Sequence, residues 1–282
     1  MRQFLRFPEG RAKAMTLSYD DGNEQDIQLV EILDRYGLKC TFNLNTGLMP
    51  PEGTVWREGK LNRRITKNGV KELYGNSQHE VALHSSTHVW FETLPSPYAL
   101  NEILADRQAL EAIFRRPIRG MAYPFGTYCT ATEELLCECG VVYARTVKDT
   151  KKFDLPENFY EWHPTCRHLD KELMTLTEKF VNMNASREPQ LFYLWGHGFE
   201  FERDNNWELI EEFGKLAGHR DDVWYATNIE IYDYVKAYER LVWSVDQKMI
   251  YNPSCTDLWV SIGEYGEKMF TVKLPAGQMT YL

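Results

Sequence analysis

The stretch "AKAMTLSYDDGNEQDIQLVEILDRYG", residues 12–37, decides the fold. Its first part alternates apolar and polar side chains, with Met15, Leu17 and Tyr19 on one face, which is the period of two that predicts a strand. The residues "DDGN" predict a turn. Residues 24–37 then place apolar side chains near helical spacing and end in a glycine, a residue suited to terminating a helix. The stretch therefore predicts one strand–turn–helix unit.

The same unit recurs along the chain. Further strands are predicted at "CTFNLN", "EVALH", "IRGMAY", "VVYARTV", "LFYLW" and "VWYA", with helical patterns between them. Strands that alternate with helices imply a parallel sheet, because parallel neighbours need a crossover connection. Some seven or eight such units in roughly 240 residues suit a closed or nearly closed barrel better than an open sheet. We therefore predict an α/β barrel.

The chain has two predicted parts. Residues 1–240 carry the strand–helix units, and residues 241–282 show short period-2 runs interrupted by "NPS" and "PAGQ", which predict a small C-terminal β segment without catalytic residues. Residues 46–78 are punctuated by Gly and Pro and predict a long excursion after the second strand. Long loops at that place often shape a cleft.

Composition excludes several functional classes. There are 32 Lys and Arg against 41 Asp and Glu, a net charge of −9, and no basic block, which argues against a nucleic-acid or membrane partner. No apolar run is long enough for a membrane span or a secretory signal, so we expect a cytoplasmic protein. The six scattered cysteines fit reduced thiols. The 8 Trp and 16 Tyr are interpreted mainly as core, although some rings could line a sugar-binding cleft.

Polar residues follow the predicted strands at the end where barrel enzymes carry their chemistry. They are Asp20, Asp21, His84, His88 and His197. Adjacent residues that leave a strand point in different directions, so one of the two aspartates can bind a cation while the other accepts a proton. His84 and His88 are four positions apart, which on one helical turn places both imidazoles on the same face, as in zinc sites.

One carboxylate and two imidazoles make a three-ligand site with an open position, the catalytic pattern for Zn²⁺. His197 ends another predicted strand, between two glycines. An imidazole there can act as a general acid or base, because it titrates near neutral pH, or it can be an ordinary loop histidine.

Four short motifs in this order resemble those of the polysaccharide deacetylase family, the NodB-homology group that forms carbohydrate esterase family 4. They are "LSYDDG", "HSSTH", "YPFG" and "LWGH", and the resemblance extends over residues 12–235. It implies a distorted (β/α)7 barrel. It also implies site roles: Asp20 as general base, Asp21, His84 and His88 as ligands of a divalent metal, with Zn²⁺ preferred, and His197 as general acid.

The main chain at Phe125 would help to hold the oxyanion. The chain departs from the family at the arginine that tunes the catalytic aspartate, because Ala122 stands there, and the family's Asp-x-x-Asp-Trp-like stretch is missing. Arg145 is the candidate replacement for that cation. The predicted substrate-binding residues are Tyr123, Phe125, Tyr128, Arg145, Trp162 and Trp195.

The resemblance implies metal-dependent removal of acetyl groups from a carbohydrate, with an N-acetylated amino sugar oligo- or polysaccharide as the first choice and O-acetyl groups as an open second. Two alternatives remain at this stage. One is a metal-dependent hydrolase of a small cyclic amide or ureide, and the other is a non-catalytic carbohydrate-binding relative.

Overall fold

The computed structural model describes residues 2–185, 187–263 and 268–282. The strands are β1 (Arg2–Arg6), β2 (Lys13–Asp20), β3 (Cys40–Leu44), β4 (Glu80–Leu83), β5 (Gly120–Ala122), β6 (Tyr143–Arg145), β7 (Cys166–Arg167), β8 (Gln190–His197), β9 (Val223–Tyr225), β10 (Val242–Trp243), β11 (Met249–Tyr251), β12 (Leu258–Gly263), β13 (Phe270–Leu274) and β14 (Met279–Tyr281). The helices are α1 (Asp26–Arg35), α2 (Lys67–Tyr74), α3 (Ser96–Phe114), α4 (Thr130–Glu138), α5 (Leu173–Asn182), α6 (Phe199–Arg203), α7 (Trp207–Ala217) and α8 (Asn228–Glu239).

The predicted distorted (β/α)7 barrel is confirmed. A curled sheet of parallel strands runs in the order β6-β5-β4-β3-β2-β8-β7, and β9 pairs with β2 beside this path. The long strand β2 pairs with β8 over its whole length. Its C-terminal half, Leu17–Asp20, pairs with β3, and its first residues, Lys13–Met15, pair with β9. The barrel is distorted because β3 and β9 both pair with the same edge of β2, opposite to β8.

A short strand that the sequence patterns did not predict lies between β6 and β8. Trp162 forms a parallel bridge with Arg145, and its main-chain N–H donates to the Ala144 carbonyl at 3.1 Å. A few residues later, β7 pairs with β8. The segment is too short and too interrupted, with Pro164 in its middle, to show a strand period. It brings β6 and β8 together on the open side of the sheet.

The alternation in β2 separates an apolar face from a polar one. Met15, Leu17 and Tyr19 belong to the main core that the surrounding helices cover. Thr16 and Ser18 lie on the opposite face, where Ser18 accepts a hydrogen bond from Asn43 at 2.8 Å, within the barrel. The interior of the barrel is therefore lined by hydrogen-bonded polar groups, and its helix-covered exterior supplies most of the hydrophobic burial.

The C-terminal β segment packs at the end of the barrel where the strands begin. One sheet has the order β1-β12-β13 and a second has the order β10-β11-β14. Leu5, Val260 and Ile262 share a buried cluster with Ala14 and Leu191, which lie at the starts of β2 and β8. Because β1 pairs with β12, the C-terminal sheet includes the N-terminal strand, and the division of the chain at residue 240 stays a prediction.

No helix in residues 2–185, 187–263 and 268–282 combines the length and hydropathy that a bilayer crossing needs.

Ile262→Ala tests whether the C-terminal sheet and the barrel fold as one unit. Ile262 is fully buried in the shared cluster, so we expect the free energy of unfolding to fall by about 2–5 kcal/mol, the usual cost of this truncation in a core. Denaturant unfolding followed by circular dichroism measures it. Val245→Ala is the control, because Val245 is fully exposed. A separate early transition confined to the C-terminal sheet would contradict a single cooperative unit.

Candidate active site

Asp20 is the last residue of β2 and lies at the upper end of the barrel interior, where it is 2% exposed. Its Oδ2 forms a short ion pair with Arg145, and its Oδ1 accepts a hydrogen bond from Asn43 at 2.8 Å. Burial alone would raise the pKa of Asp20. The positive charge of Arg145 and the imidazoles of His84 and His197 outweigh burial and hold the pKa at about 2. The carboxylate is therefore ionised at neutral pH.

Arg145, the candidate replacement for a cation at Ala122, forms an ion pair with Asp20. Ala122 and Arg145 are register partners on neighbouring strands, β5 and β6, so Arg145 lies one strand away from Ala122 at the same level of the barrel. Arg145 is fully buried and lies 4.7 Å from the ring centre of Trp195. Its guanidinium is committed to Asp20 and not to the solvent side of the cleft, where the predicted substrate contact would require it.

Asp21, His84 and His88 converge just beyond the strand ends. Asp21 Oδ1 lies 3.9 Å from His84 Nε2 and 3.8 Å from His88 Nε2. One ligand atom from each of the three residues lies within 4.8 Å of the others. A tight turn creates this position: Asp21 has φ of 89° and Gly22 has φ of 62°, and a Cβ on Gly22 would come 2.7 Å from the Leu44 side chain.

The two histidines do not lie on a helical turn, so that part of the prediction is wrong. Residues 84–88 form an irregular loop in which Ser85 and His88 have left-handed φ angles of 57° and 59°. The Ser85 hydroxyl accepts a hydrogen bond from the Val89 N–H at 3.2 Å. The rings still meet, with centroids 4.8 Å apart. The i, i+4 spacing brings them together through this strained loop.

The three side chains fit a divalent metal. His84 Nδ1 lies 2.8 Å from the carbonyl oxygen of Ala122, which can only accept, so Nδ1 carries the proton and Nε2 is free to bind a cation. Burial lowers the pKa of His84 to about 4 and also lowers the pKa of His88, which favours the neutral, metal-binding form. Asp21 Oδ1 has an ion pair with Arg64 at 3.0 Å but no hydrogen bond within the described residues.

His197 lies beside Asp20, its register partner on β8. His197 Nε2 is 3.9 Å from Asp20 Oδ2, and its Nδ1 is 3.3 Å from Glu200 Oε2. Burial acts to lower the pKa of His197. The hydrogen bond to Glu200 and the negative charge of Asp20 outweigh burial, and the pKa is raised above its usual value. His197 is therefore suited to holding a proton near neutral pH.

Glu200 is a member of the site that sequence reasoning missed. It lies in α6 with its side chain 1% exposed, and it also forms an ion pair with Arg167. Burial would raise the pKa of Glu200, but its bond to His197 and the charges of His197, His168 and Arg167 hold it at about 2. Its only signal in the sequence is the spacing of three residues after His197, in "HGFE".

Both predicted substrate-binding tryptophans are buried. The guanidinium groups of Arg145 and Arg167 lie over the ring of Trp195, 4.7 Å and 5.3 Å from its centre, and Trp195 is 7% exposed. Trp162 is 1% exposed and packs edge-on against Tyr143 and Tyr193 in the cluster at the lower end of the barrel. Trp162 therefore acts as a core residue in this position and has almost no surface with which to contact a substrate.

The remaining predicted aromatics lie along the loop after β5. Tyr123 is fully buried and stacks on the half-buried Tyr128 with centroids 4.9 Å apart. Phe125 is 46% exposed and lies edge-on to His88, with centroids 4.3 Å apart. Trp90, which sequence reasoning did not select, stacks on Phe125. The aromatic surface next to the histidine pair is therefore built by Phe125 and Trp90.

Together, the fold and the site define a class of protein: an α/β barrel whose strand ends hold three candidate metal ligands beside an ionised carboxylate and an imidazole. Residues 8–144 match the family model described as Polysaccharide deacetylase. The predicted resemblance to the polysaccharide deacetylase family is therefore confirmed. The matched part includes Asp20, Asp21, His84 and His88.

The chain is similar to several solved structures. A Mycobacterium smegmatis protein assigned as a polysaccharide deacetylase has a TM-score of 0.62 at 17% identity, covering 83% of this chain and 94% of that one. A peptidoglycan N-acetylglucosamine deacetylase has a TM-score of 0.50 at 15% identity, covering 80% and 90%. A Streptococcus pyogenes deacetylase in complex with acetate has a TM-score of 0.41 at 20% identity, covering 47% of this chain and 55% of that one. No curated protein sequence matches the chain.

Glu200→Gln tests the electrostatic support of His197. We expect the pKa of His197 to fall, because the variant keeps a hydrogen-bond acceptor at Nδ1 but removes the negative charge that favours the imidazolium. A pH titration of the histidine ring protons by NMR measures this. Glu202→Gln is the matched control, since Glu202 lies on the same helix and pairs with Arg63 instead. An unchanged His197 titration in Glu200→Gln would contradict the assignment.

Arg145→Met tests the buried ion pair. We expect the free energy of unfolding at neutral pH to fall by about 3–5 kcal/mol, because Asp20 is left charged and unpaired in the interior. Chemical denaturation measures this loss. The control is the double variant Asp20→Asn with Arg145→Met, which removes both charges and should be more stable than Arg145→Met alone. A double variant as unstable as the sum of the single ones would contradict direct coupling.

Proposed function

We propose that this protein hydrolyses acetyl groups from an acylated carbohydrate, with an N-acetylated amino sugar oligo- or polysaccharide as the first candidate. The observation that carries the proposal is the position of the ionised Asp20 carboxylate. It lies 3.9 Å from His84 Nε2 in the three-ligand cluster and 3.9 Å from His197 on the other side. The family match to polysaccharide deacetylases supports the substrate class.

Asp21, His84 and His88 would hold the divalent metal. A carboxylate oxygen with two imidazole nitrogens is the donor set of catalytic zinc sites, which makes Zn²⁺ the first candidate. When bound, such an ion supplies Lewis-acid activation of water and of the acyl carbonyl. The fixed tautomer of His84, set by the Ala122 carbonyl, keeps its Nε2 directed at this position.

Asp20 is the proposed general base. As water attacks the acetyl carbon, the carboxylate accepts a proton from it, and Arg145 ensures that the carboxylate is ionised and therefore able to accept. The same cation makes Asp20 a weaker base. Asn43 fixes the other carboxylate oxygen, so Oδ2 is the one that faces both the ligand cluster and His197.

His197 is the proposed general acid. When the C–N bond breaks, its Nε2–H donates a proton to the departing nitrogen, and the products are acetate and a free amine. An amine leaves poorly without this proton, whereas an ester with a good leaving group needs it less. Glu200 accepts a hydrogen bond from His197 Nδ1, on the other side of the ring from the nitrogen that faces Asp20, and this bond orients the ring. The main chain at Phe125 is the proposed donor to the oxyanion.

The first experiment measures acetate release from N-acetylglucosamine oligosaccharides and from acetylated xylan, with metal-loaded and chelator-treated protein. Asp20→Asn should lower turnover by at least about 10²-fold at nearly normal metal content, because it removes the base and leaves the three ligands. His84→Ala should lower both turnover and metal content. Release should disappear with the metal and return when Zn²⁺ is added.

Equal metal loss in Asp20→Asn and His84→Ala would show that Asp20 is a ligand and not the base. Metal-loaded protein that releases no acetate from either substrate would reject the proposed function. Small cyclic amides run in parallel distinguish the alternative hydrolase, because they present a C–N bond without a sugar.

A further inference from the structure

We infer that the stacked side chains of Trp90 and Phe125 form a binding platform for a second sugar ring of the substrate, next to the one that carries the acetyl group. This inference rests on the proposed function, since it takes the substrate to be a carbohydrate. It adds a specificity determinant to the same site, which favours oligosaccharides over single sugars.

The two rings form a nearly parallel stack. Their centroids are 4.0 Å apart and their planes differ by 8°. Trp90 is 51% exposed and Phe125 is 46% exposed. A single exposed aromatic residue is ordinary, but two large rings that bury only part of their area against each other leave a contiguous apolar surface in water. A flat surface of this kind suits a flat ligand that covers it.

Local backbone structure holds both rings outward. Phe125 has a left-handed φ of 57°, which is costly for a residue with a large side chain and persists only where the surroundings fix it. The turn is fixed by the Gly126 N–H, which donates to the Tyr123 carbonyl at 2.9 Å. Trp90 is anchored by its neighbour Phe91, which is 1% exposed and packs in the main core. The platform is therefore set by the fold and needs little ordering when a ligand binds.

The platform is continuous with the candidate active site. The ring of Phe125 lies edge-on to His88 at 4.3 Å, and His88 lies 4.8 Å from His84. Trp90 is thus one ring further from the ligand cluster than Phe125. When the acetyl group of one sugar reaches the ligand cluster, the next sugar of the same oligosaccharide would lie against Trp90 and Phe125. A single sugar could not occupy both positions.

The apolar, flat surface of the platform formed by Trp90 and Phe125 suits a sugar ring. A pyranose ring has a face of C–H groups that packs against aromatic rings, and its hydroxyl groups remain in water at the edge. A nucleic-acid base could also stack on such a pair, but the net charge of −9 and the lack of a basic block provide no binding for phosphates. The family match to polysaccharide deacetylases favours the sugar.

The test measures affinity separately from turnover. Isothermal titration calorimetry is run on the metal-loaded 282-residue chain in an Asp20→Asn background, so that the ligand survives the measurement. The probes are N-acetylglucosamine and its tetramer. We expect Trp90→Ala to weaken tetramer binding about tenfold, the scale expected for loss of one stacking face, and to leave monomer binding within about twofold.

Two control variants accompany it. Trp90→Phe keeps a stacking face and should stay within about threefold of the parent for the tetramer. Tyr281→Ala removes a ring that is 77% exposed on β14, in the sheet β10-β11-β14, and should leave both affinities unchanged. Equal tetramer affinity in the parent and in Trp90→Ala would overturn the platform, and so would a parent protein that binds neither probe.

The outcomes separate this inference from the proposed function. Wild-type protein that releases acetate, combined with an unaffected Trp90→Ala affinity, would reject only the platform. A tenfold loss of affinity in Trp90→Ala, combined with no acetate release by wild type, would reject only deacetylation. Sedimentation velocity gives the remaining outcome: a wild-type dimer that becomes monomeric in Trp90→Ala would show that a second copy covers these rings, and would overturn the sugar platform.

Discussion

The site depends on one buried ion pair, between Asp20 and Arg145. Two charges removed from water stabilise each other only while both are present, because either one alone would remain unsolvated in the interior. The pair joins β2 to β6, which are separated by three strands in the sheet order, so it spans the inside of the barrel. Because Arg145 keeps Asp20 ionised despite its burial, the carboxylate can interact with His84 on one side and His197 on the other.

Paired polar groups continue from the Asp20–Arg145 ion pair along the inside of the barrel. The polar face of β2 continues below Asp20 with Ser18 and Thr16, and Thr16 donates to Asn228 at 2.8 Å, which in turn contacts Tyr193 at 2.5 Å. Buried polar groups are tolerable only when they are paired, so this column of hydrogen bonds fixes the relative height of the strands. The register of the strands determines which side chains meet at their C-terminal ends. The helix-covered hydrophobic exterior stabilises the barrel, and the polar interior sets its register.

Local strain is concentrated where the strands end. Asp21, Ser85, His88 and Phe125 all have left-handed φ angles, between 57° and 89°, and all lie in loops around the ligand cluster. Such conformations cost about 1–3 kcal/mol each and persist where packing and hydrogen bonds fix them. They direct the Asp21 carboxylate, the His88 imidazole and the Phe125 ring to places that regular strands or helices could not reach. The rigid barrel below supports this geometry.

The strand–turn–helix unit of residues 12–37, the barrel and the candidate ligands were predictable from the sequence, because periodicity and short motifs are local properties of the chain. The irregular loop at residues 84–88 was not, since it depends on left-handed residues that spacing does not reveal. The sequence also left Glu200, Trp90 and the role of Arg145 open. Parallel strands bring residues together through register, as Asp20 meets both His197 and Asn43. Sequence by itself therefore determined the resemblance to polysaccharide deacetylases and the types of donor group, and only the tertiary structure decided their partners, because those contacts join residues that are far apart along the chain.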